Sequence, residues 1–287
     1  LRALIVTADD VGLHPGMARG AIAAHDEGIV TACSVVANGR AFAPAAEILR
    51  DRPRLDVGIH LTLVGERPLS PPERVRSLVD SNDAFLRDFR AFTQRYLLGR
   101  IAAAEVEEEL RRQIERLLAA GLRVVHANGH QHLHVLPRIF DIVLRLAEEY
   151  RIPFVRIPCE TLAFRRPSPR ALQIATLNGL GWRARRRLVE GGSIRSTDRT
   201  IGVLDAGGLT VEKLFRLLND VEDVTELVCH PGMDGSALAA EYDWGYGWER
   251  ETAALRDSRV KEELQKLGIA LTSFSEGRCS YLPIERR

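Results

Sequence analysis

Short apolar runs rich in β-branched residues alternate along this chain with longer stretches of helical period. Residues 3–8, 31–36, 56–63, 122–128, 154–157, 225–230 and 270–274 read as mostly buried strands. Between them, residues 15–27, 42–50, 137–150 and most of 84–120 carry helical periodicity, with Pro15 at an early helical position that a proline tolerates. Residues 66–82 hold Pro68, Pro71 and Pro72 and read as a loop. This β-α-β-α rhythm predicts an α/β fold built on a largely parallel sheet or barrel. The stretch 159–208, rich in Arg, Pro and Gly, reads as an insertion on a single domain spanning 1–287.

Composition narrows the function. A chain of 287 residues that is 45% hydrophobic can bury a core of barrel size. With 40 basic against 39 acidic residues, the net charge of +1 gives no footprint for nucleic acid. No apolar run approaches the roughly 18 residues of a membrane span. The first residues carry no signal-peptide pattern and enter a strand at once, so further residues are expected ahead of Leu1. Cys33, Cys159, Cys229 and Cys279 are scattered without a CxxC pair, which favours a reduced, cytoplasmic protein. Any metal would then be held by His and Asp.

The chemistry-capable residues fall late in these strands, where parallel α/β folds bind ligands. Asp9 and Asp10 follow the first strand, Asn38 the second, and His60 lies late in the third. Adjacent carboxylates after a buried strand repel each other, and a cation would relieve one of them. Capping of the next helix is the plainer alternative. His60 between Ile59 and Leu61 suits either a ligand or a satisfied core histidine.

Four of the eight histidines, His126, His130, His132 and His134, crowd into "HANGHQHLHVLP". One extended strand would spread them over about 27 Å, too far for a single ion. The strand is therefore expected to end near Asn128-Gly129, leaving His130 best placed to face a pocket. His132 and His134 would contact substrate, support the site from behind or serve structure, and a chance His-rich loop is the bland reading. His230 in "CHPG" suits a general acid/base at a sharp turn, or a structural turn histidine.

The stretches "TADDVGLHPGMARGAIAAHDEGIVTACSVVANG", "VGIHLTLV", "HANGHQHLHVLP" and "ELVCHPG" together resemble the YdjC-like carbohydrate deacetylase family along nearly the whole chain. "YDWGYGWERETAAL" and "LGIALTSF" look most like its branch associated with hopanoid biosynthesis (HpnK). The resemblance implies a deformed (β/α) barrel of the polysaccharide deacetylase type and metal-dependent removal of an N-acetyl group from an amino sugar. Residue by residue it implies Asp9 as general base, Asp10, His60 and His130 as ligands of one divalent ion, Zn²⁺ or Mg²⁺, and His230 as general acid. Many members carry Asp where this chain has Asn128. Asn38, His132, His134 and Arg156 complete the candidates as substrate contacts.

Residues 161–188 mix apolar residues with arginines. Leu172, Ala175, Leu177 and Leu180 are placed on one helical side, with Trp182, Arg183, Arg185, Arg186 and Arg187 beyond. That pattern suits a helix resting on an anionic membrane surface and reaching an N-acetylated glycolipid, and equally a lid or a homodimer contact. The rival functions are a metal-dependent barrel phosphohydrolase or isomerase, which would want more carboxylate ligands or a Lys base, and a non-catalytic sugar-binding protein.

Overall fold

The computed structural model describes residues 2–160 and 169–276. Cys279 and residues 161–168 of the arginine-rich stretch lie outside them. The strands are β1 (Ala3–Val11), β2 (Ala32–Val35), β3 (Asp56–Leu61), β4 (Val124–Gly129), β5 (Phe154–Val155), β6 (Arg199–Ile201), β7 (Val224–Cys229) and β8 (Ala270–Leu271). The helices are α1 (Pro15–Asp26), α2 (Phe42–Arg50), α3 (Phe89–Leu97), α4 (Ala103–Ala119), α5 (Pro137–Glu149), α6 (Pro169–Gly191), α7 (Val211–Leu218), α8 (Gly235–Glu241), α9 (Trp248–Arg256) and α10 (Ser258–Lys266).

All strand pairings are parallel, in the order β5-β4-β3-β2-β1-β7-β6, with β8 beside the start of β1. The sheet curls until its edges meet: Val155 N donates to Arg195 O at 2.8 Å and Thr200 Oγ1 to Ile157 O at 3.0 Å. The result is the expected α/β architecture, a deformed (β/α) barrel. The stretch 159–208 is more than an insertion, because it supplies β6, an edge strand of the sheet. Its three residues are too short to show a period among the surrounding arginines.

Alternation along each strand separates outside from inside. Leu4, Val6 and Ala8 share the main core with Ala18, Ala21 and Ala24 of α1. Ile5, Ala32, Val125, Phe154 and Phe274 fill the lower end of the barrel. Above this plug the interior becomes polar, and there the site is built.

His126 sits at that boundary. Its ring stacks on Phe274 at 4.3 Å, neither ring nitrogen has a hydrogen-bond partner, and Gly58 leaves it room, since a Cβ there would lie 2.2 Å from Nε2. Burial, and then the Arg156 charge, push its pKa down to about 3; burial does the same for His134. Both histidines are neutral in the native protein, whereas the unfolded chain protonates near pH 6.5. Their contribution is therefore complete above pH 6.5 and is lost as pH falls towards 3. Each steepens the loss by about 1.4 kcal/mol per pH unit. Urea unfolding of wild type and His126→Leu at pH 7 and pH 5 checks this, with the flatter pH dependence expected in the variant.

Candidate active site

Neighbouring residues on a regular strand point to opposite faces. Asp9 and Asp10 nevertheless both turn inward, and β1 shows how. Its register against β2 shifts between Ala8 and Val11, and Asp10 adopts φ +67, in the left-handed region. This bulge delivers two successive carboxylates to one cavity, with Asp9 and Asp10 only 2% and 3% exposed. The carboxylates thus lie within the strand and not beyond its end as the sequence suggested.

Asp10 Oδ1 lies 3.2 Å from His60 Nε2 and 2.9 Å from His130 Nδ1. One donor atom from each of the three residues lies within 4.8 Å of the others, and all three residues are buried. Asn128 fixes the role of His60. Its Oδ1 lies 2.6 Å from His60 Nδ1, so that nitrogen donates to the amide and Nε2 is the one turned towards Asp10. Beyond β4 the chain passes through Gln131 (φ 52) and His132 (φ 57), a tight reversal that seats His130 while Gln131 Oε1 accepts from Phe89 N at 2.6 Å. Two imidazoles and a carboxylate form a donor set suited to Zn²⁺ or a similar divalent ion.

Burial alone would depress His60, but Asp9, and then the hydrogen bond and charge of Asp10, hold its pKa above the ordinary value. A cation must displace that proton, so metal affinity is expected to fall as the solution is acidified below neutrality. Replacing Asn128 with Leu removes the His60 acceptor at nearly constant volume. We expect a 10- to 100-fold loss of zinc affinity, read by competition with a chromogenic chelator.

Asp9 occupies a different environment. Arg156 grips both its oxygens, Ser34 Oγ donates to Oδ1 at 2.7 Å, and Asn128 Nδ2 donates to it at 3.2 Å. Arg156 also donates from Nε to Glu226 Oε1 at 3.0 Å, and Thr7 Oγ1 donates there at 2.7 Å. Burial would raise the Asp9 pKa, but the Arg156 charge, followed by His60, holds it far below the carboxylate range. Asp9 is held as an anion, with donors on both its oxygens.

His230 closes the other side, its Nε2 3.9 Å from Asp10 Oδ2. Its placement comes from glycines: the backbone of Gly232 meets Gly20 so closely that a Cβ would lie 2.4 Å away, and Met233 N donates to Gly16 O at 2.9 Å. Buried Glu251 accepts the His230 backbone N–H and places Oε1 4.0 Å from its Nδ1. Burial raises the Glu251 pKa despite the opposing pull of His230.

The structure thus gathers Asp9, Asp10, His60, His130 and His230 and separates the remaining candidates. Arg156 is enclosed: its side chain is 1% exposed and holds Asp9 against Glu226. His134 is likewise enclosed, with Nε2 2.9 Å from Arg156 O. His132 is half-buried with its Nδ1 enclosed and unpaired. Asn38 ties Nδ2 to Arg67 O at 2.9 Å, leaving Oδ1 without a partner. Sequence reasoning missed Ser34, Glu226 and Glu251. A serine in a strand and a glutamate in an amphipathic helix carry no local signal.

The YdjC-like protein family matches residues 3–266. The chain belongs to the YdjC-like family. A Brevibacillus brevis relative of this YdjC-like protein, named a carbohydrate deacetylase, is 33% identical over 275 residues, 95% of this chain and 98% of that one. A Geobacillus stearothermophilus protein of the same name is 30% identical over 277 residues, 96% and 98% of the two chains. A solved structure from Enterococcus faecalis V583, described as a candidate cellobiose-phosphate cleavage protein, superposes with a TM-score of 0.75 at 27% identity, covering 96% of this chain and 98% of that one.

Proposed function

We propose that this YdjC-like protein is a metal-dependent hydrolase that removes the acetyl group from an N-acetylated amino sugar and releases acetate. The observation that carries the reading is the convergence of Asp10, His60 and His130 from separate segments, with Asp9 and His230 beside them. The names of the two bacterial relatives support the sugar and the reaction. Among the described residues the metal-binding group contains one carboxylate and two imidazoles, which speaks against the carboxylate-richer sites of barrel phosphohydrolases and isomerases.

Asp10, His60 and His130 would hold one divalent ion, zinc before magnesium given the imidazoles. Such an ion supplies Lewis-acid polarisation of the acetyl carbonyl. Asp9 accepts a proton from the attacking water, which must replace one of its present donors to reach it. Arg156 and Asn128 keep the carboxylate oriented and ionised until then. His230 delivers a proton to the leaving amine, with Glu251 holding its backbone N–H. Bond cleavage yields acetate and a free amino sugar. Asp9→Asn is expected to lower acetate release more than ~100-fold while zinc affinity stays within a few-fold. Wild-type turnover in that variant would move the base role to His230.

The finer reading of the substrate is a glycolipid, an N-acetylglucosaminyl hopanoid, approached at a membrane surface. Among the described residues no helix is long and apolar enough to cross a membrane. The face of α6 differs from the sequence expectation. Leu177, Leu180 and Leu188 pack on the core, Arg185 donates to Thr197 O and Asp198 O, and Arg187 pairs with Asp141. Leu172, Trp182 and Val189 are 70%, 66% and 67% exposed, with exposed Arg183 and Arg186 among them. Apolar and basic side chains on one helix face support contact with anionic lipid. Sedimentation with vesicles containing phosphatidylglycerol should be lost in the Trp182→Ala/Arg183→Glu/Arg186→Glu variant; equal binding by both proteins would remove the surface role.

A further inference from the structure

The stretch 242–248, "YDWGYGW", joins α8 to α9 and places aromatic rings against the two more accessible histidines of the centre. The Trp244 ring lies 5.5 Å from that of His130, and the Tyr246 ring 5.1 Å from that of His230 in a T-shaped contact. The rings also touch one another: Tyr242 to Trp244 at 4.6 Å, Trp244 to Tyr246 at 5.5 Å and Tyr246 to Trp248 at 5.7 Å. Buried Trp248 roots the group in a small cluster with Leu13, Met17, Val36 and Leu238.

The segment is held firmly. Tyr242 Oη donates to Leu13 O at 3.3 Å, and Gly247 N donates to Gly207 O at 2.7 Å. Gly207, at φ +70, lies so close beneath Tyr246 that a Cβ would stand 2.1 Å from its ring. These rings are positioned before any ligand arrives.

The direction of approach follows from exposure. The side chains of His130 and His230 are each 11% exposed, against 3% for His60 and 4% for Asp10. The centre therefore opens between His130 and His230, where Trp244 and Tyr246 stand half-buried. A rigid indole beside the more accessible imidazole of the centre offers a flat apolar face to an arriving ligand. The C–H face of a pyranose ring complements such a surface, while the sugar's hydroxyls point sideways to water and polar side chains.

We propose that Trp244 is the platform on which the pyranose ring bearing the acetamido group stacks, with Tyr246 bounding the same subsite beside His230. The identity of the sugar rests on the deacetylase reading above; the platform rests on the ring geometry. Binding there would carry the acetamido group towards Asp10 and the two metal-facing imidazoles.

The test is the calorimetric affinity of chelated protein for N-acetylglucosamine and N,N′-diacetylchitobiose. Trp244→Ala should bind both about tenfold more weakly, and Trp244→Phe should recover most of the loss. Zinc affinity should stay unchanged, which reports an intact fold and centre, and Leu97→Ala, at an exposed position on α3, should bind sugar as wild type does. Equal sugar affinity in wild type and Trp244→Ala overturns the platform, as does a wild type that binds neither sugar. Acetate release separates this from the reaction itself. Sugar bound through Trp244 without acetate release keeps the platform and removes the hydrolase. Acetate released with an unchanged KM in Trp244→Ala keeps the hydrolase and removes the platform.

Discussion

Replacing Arg156 with methionine is expected to destabilise the protein by about 3–5 kcal/mol, the usual cost of stranding buried charges. The guanidinium lies between Asp9 and Glu226, with side-chain exposures of 1%, 2% and 0%. Methionine keeps much of the volume but leaves two carboxylates facing each other inside the barrel. Burial then acts on Asp9 unopposed by its main cation and drives its pKa upward. Urea unfolding at pH 7 measures the loss. Adding Glu226→Gln to the variant should recover part of it by removing one of the stranded charges. A loss below ~1 kcal/mol would mean that the triad does not act as a buried unit.

His60→Ala is expected to lower zinc affinity more than ~100-fold and acetate release at least as far, beyond the range of a supporting residue such as Asn128. The imidazole contributes a donor atom that no neighbour replaces in the three-residue group. His134→Gln provides the contrast. Its ring reaches the backbone of Arg156, so zinc affinity should stay near wild type even if stability drops. Equal losses in the two variants would contradict the assignment of Asp10, His60 and His130 as the ligand set.

Much of the fold was legible because parallel strands buried on both faces leave continuous β-branched runs, and α2 (Phe42–Arg50) emerges with the predicted bounds. The ligand candidates were legible because polar residues late in such strands have few reasons to be there. His60, between Ile59 and Leu61, is the clearest case. Local sequence could not show inward against outward direction where the pleat breaks. The bulge at Asp9-Asp10 turns both carboxylates into one cavity through a register shift with β2, a partner some 25 residues away. The surroundings of Arg156 were hidden for a related reason. Its partners Asp9 and Glu226 lie 147 and 70 residues away along the chain, beyond the reach of any local pattern. Asn128 gains its meaning the same way: its amide accepts from His60 and donates to Asp9, a double role that a carboxylate could not fill while ionised. The aromatic stretch 242–248 was visible in composition, but its nearness to His130 and His230 was not.

Hydrolysis of an N-acetylated sugar at a centre of Asp10, His60 and His130 is the proposed activity. Its most direct test is acetate release from N-acetylglucosamine, N,N′-diacetylchitobiose and an N-acetylglucosaminyl hopanoid by chelated protein, before and after restoring zinc or magnesium. We expect no acetate from the chelated protein and sustained release, from at least one of the sugars, once the ion is restored. Unchanged release after complete chelation would contradict the metal centre, and no release from any of the three with zinc bound would contradict the reaction.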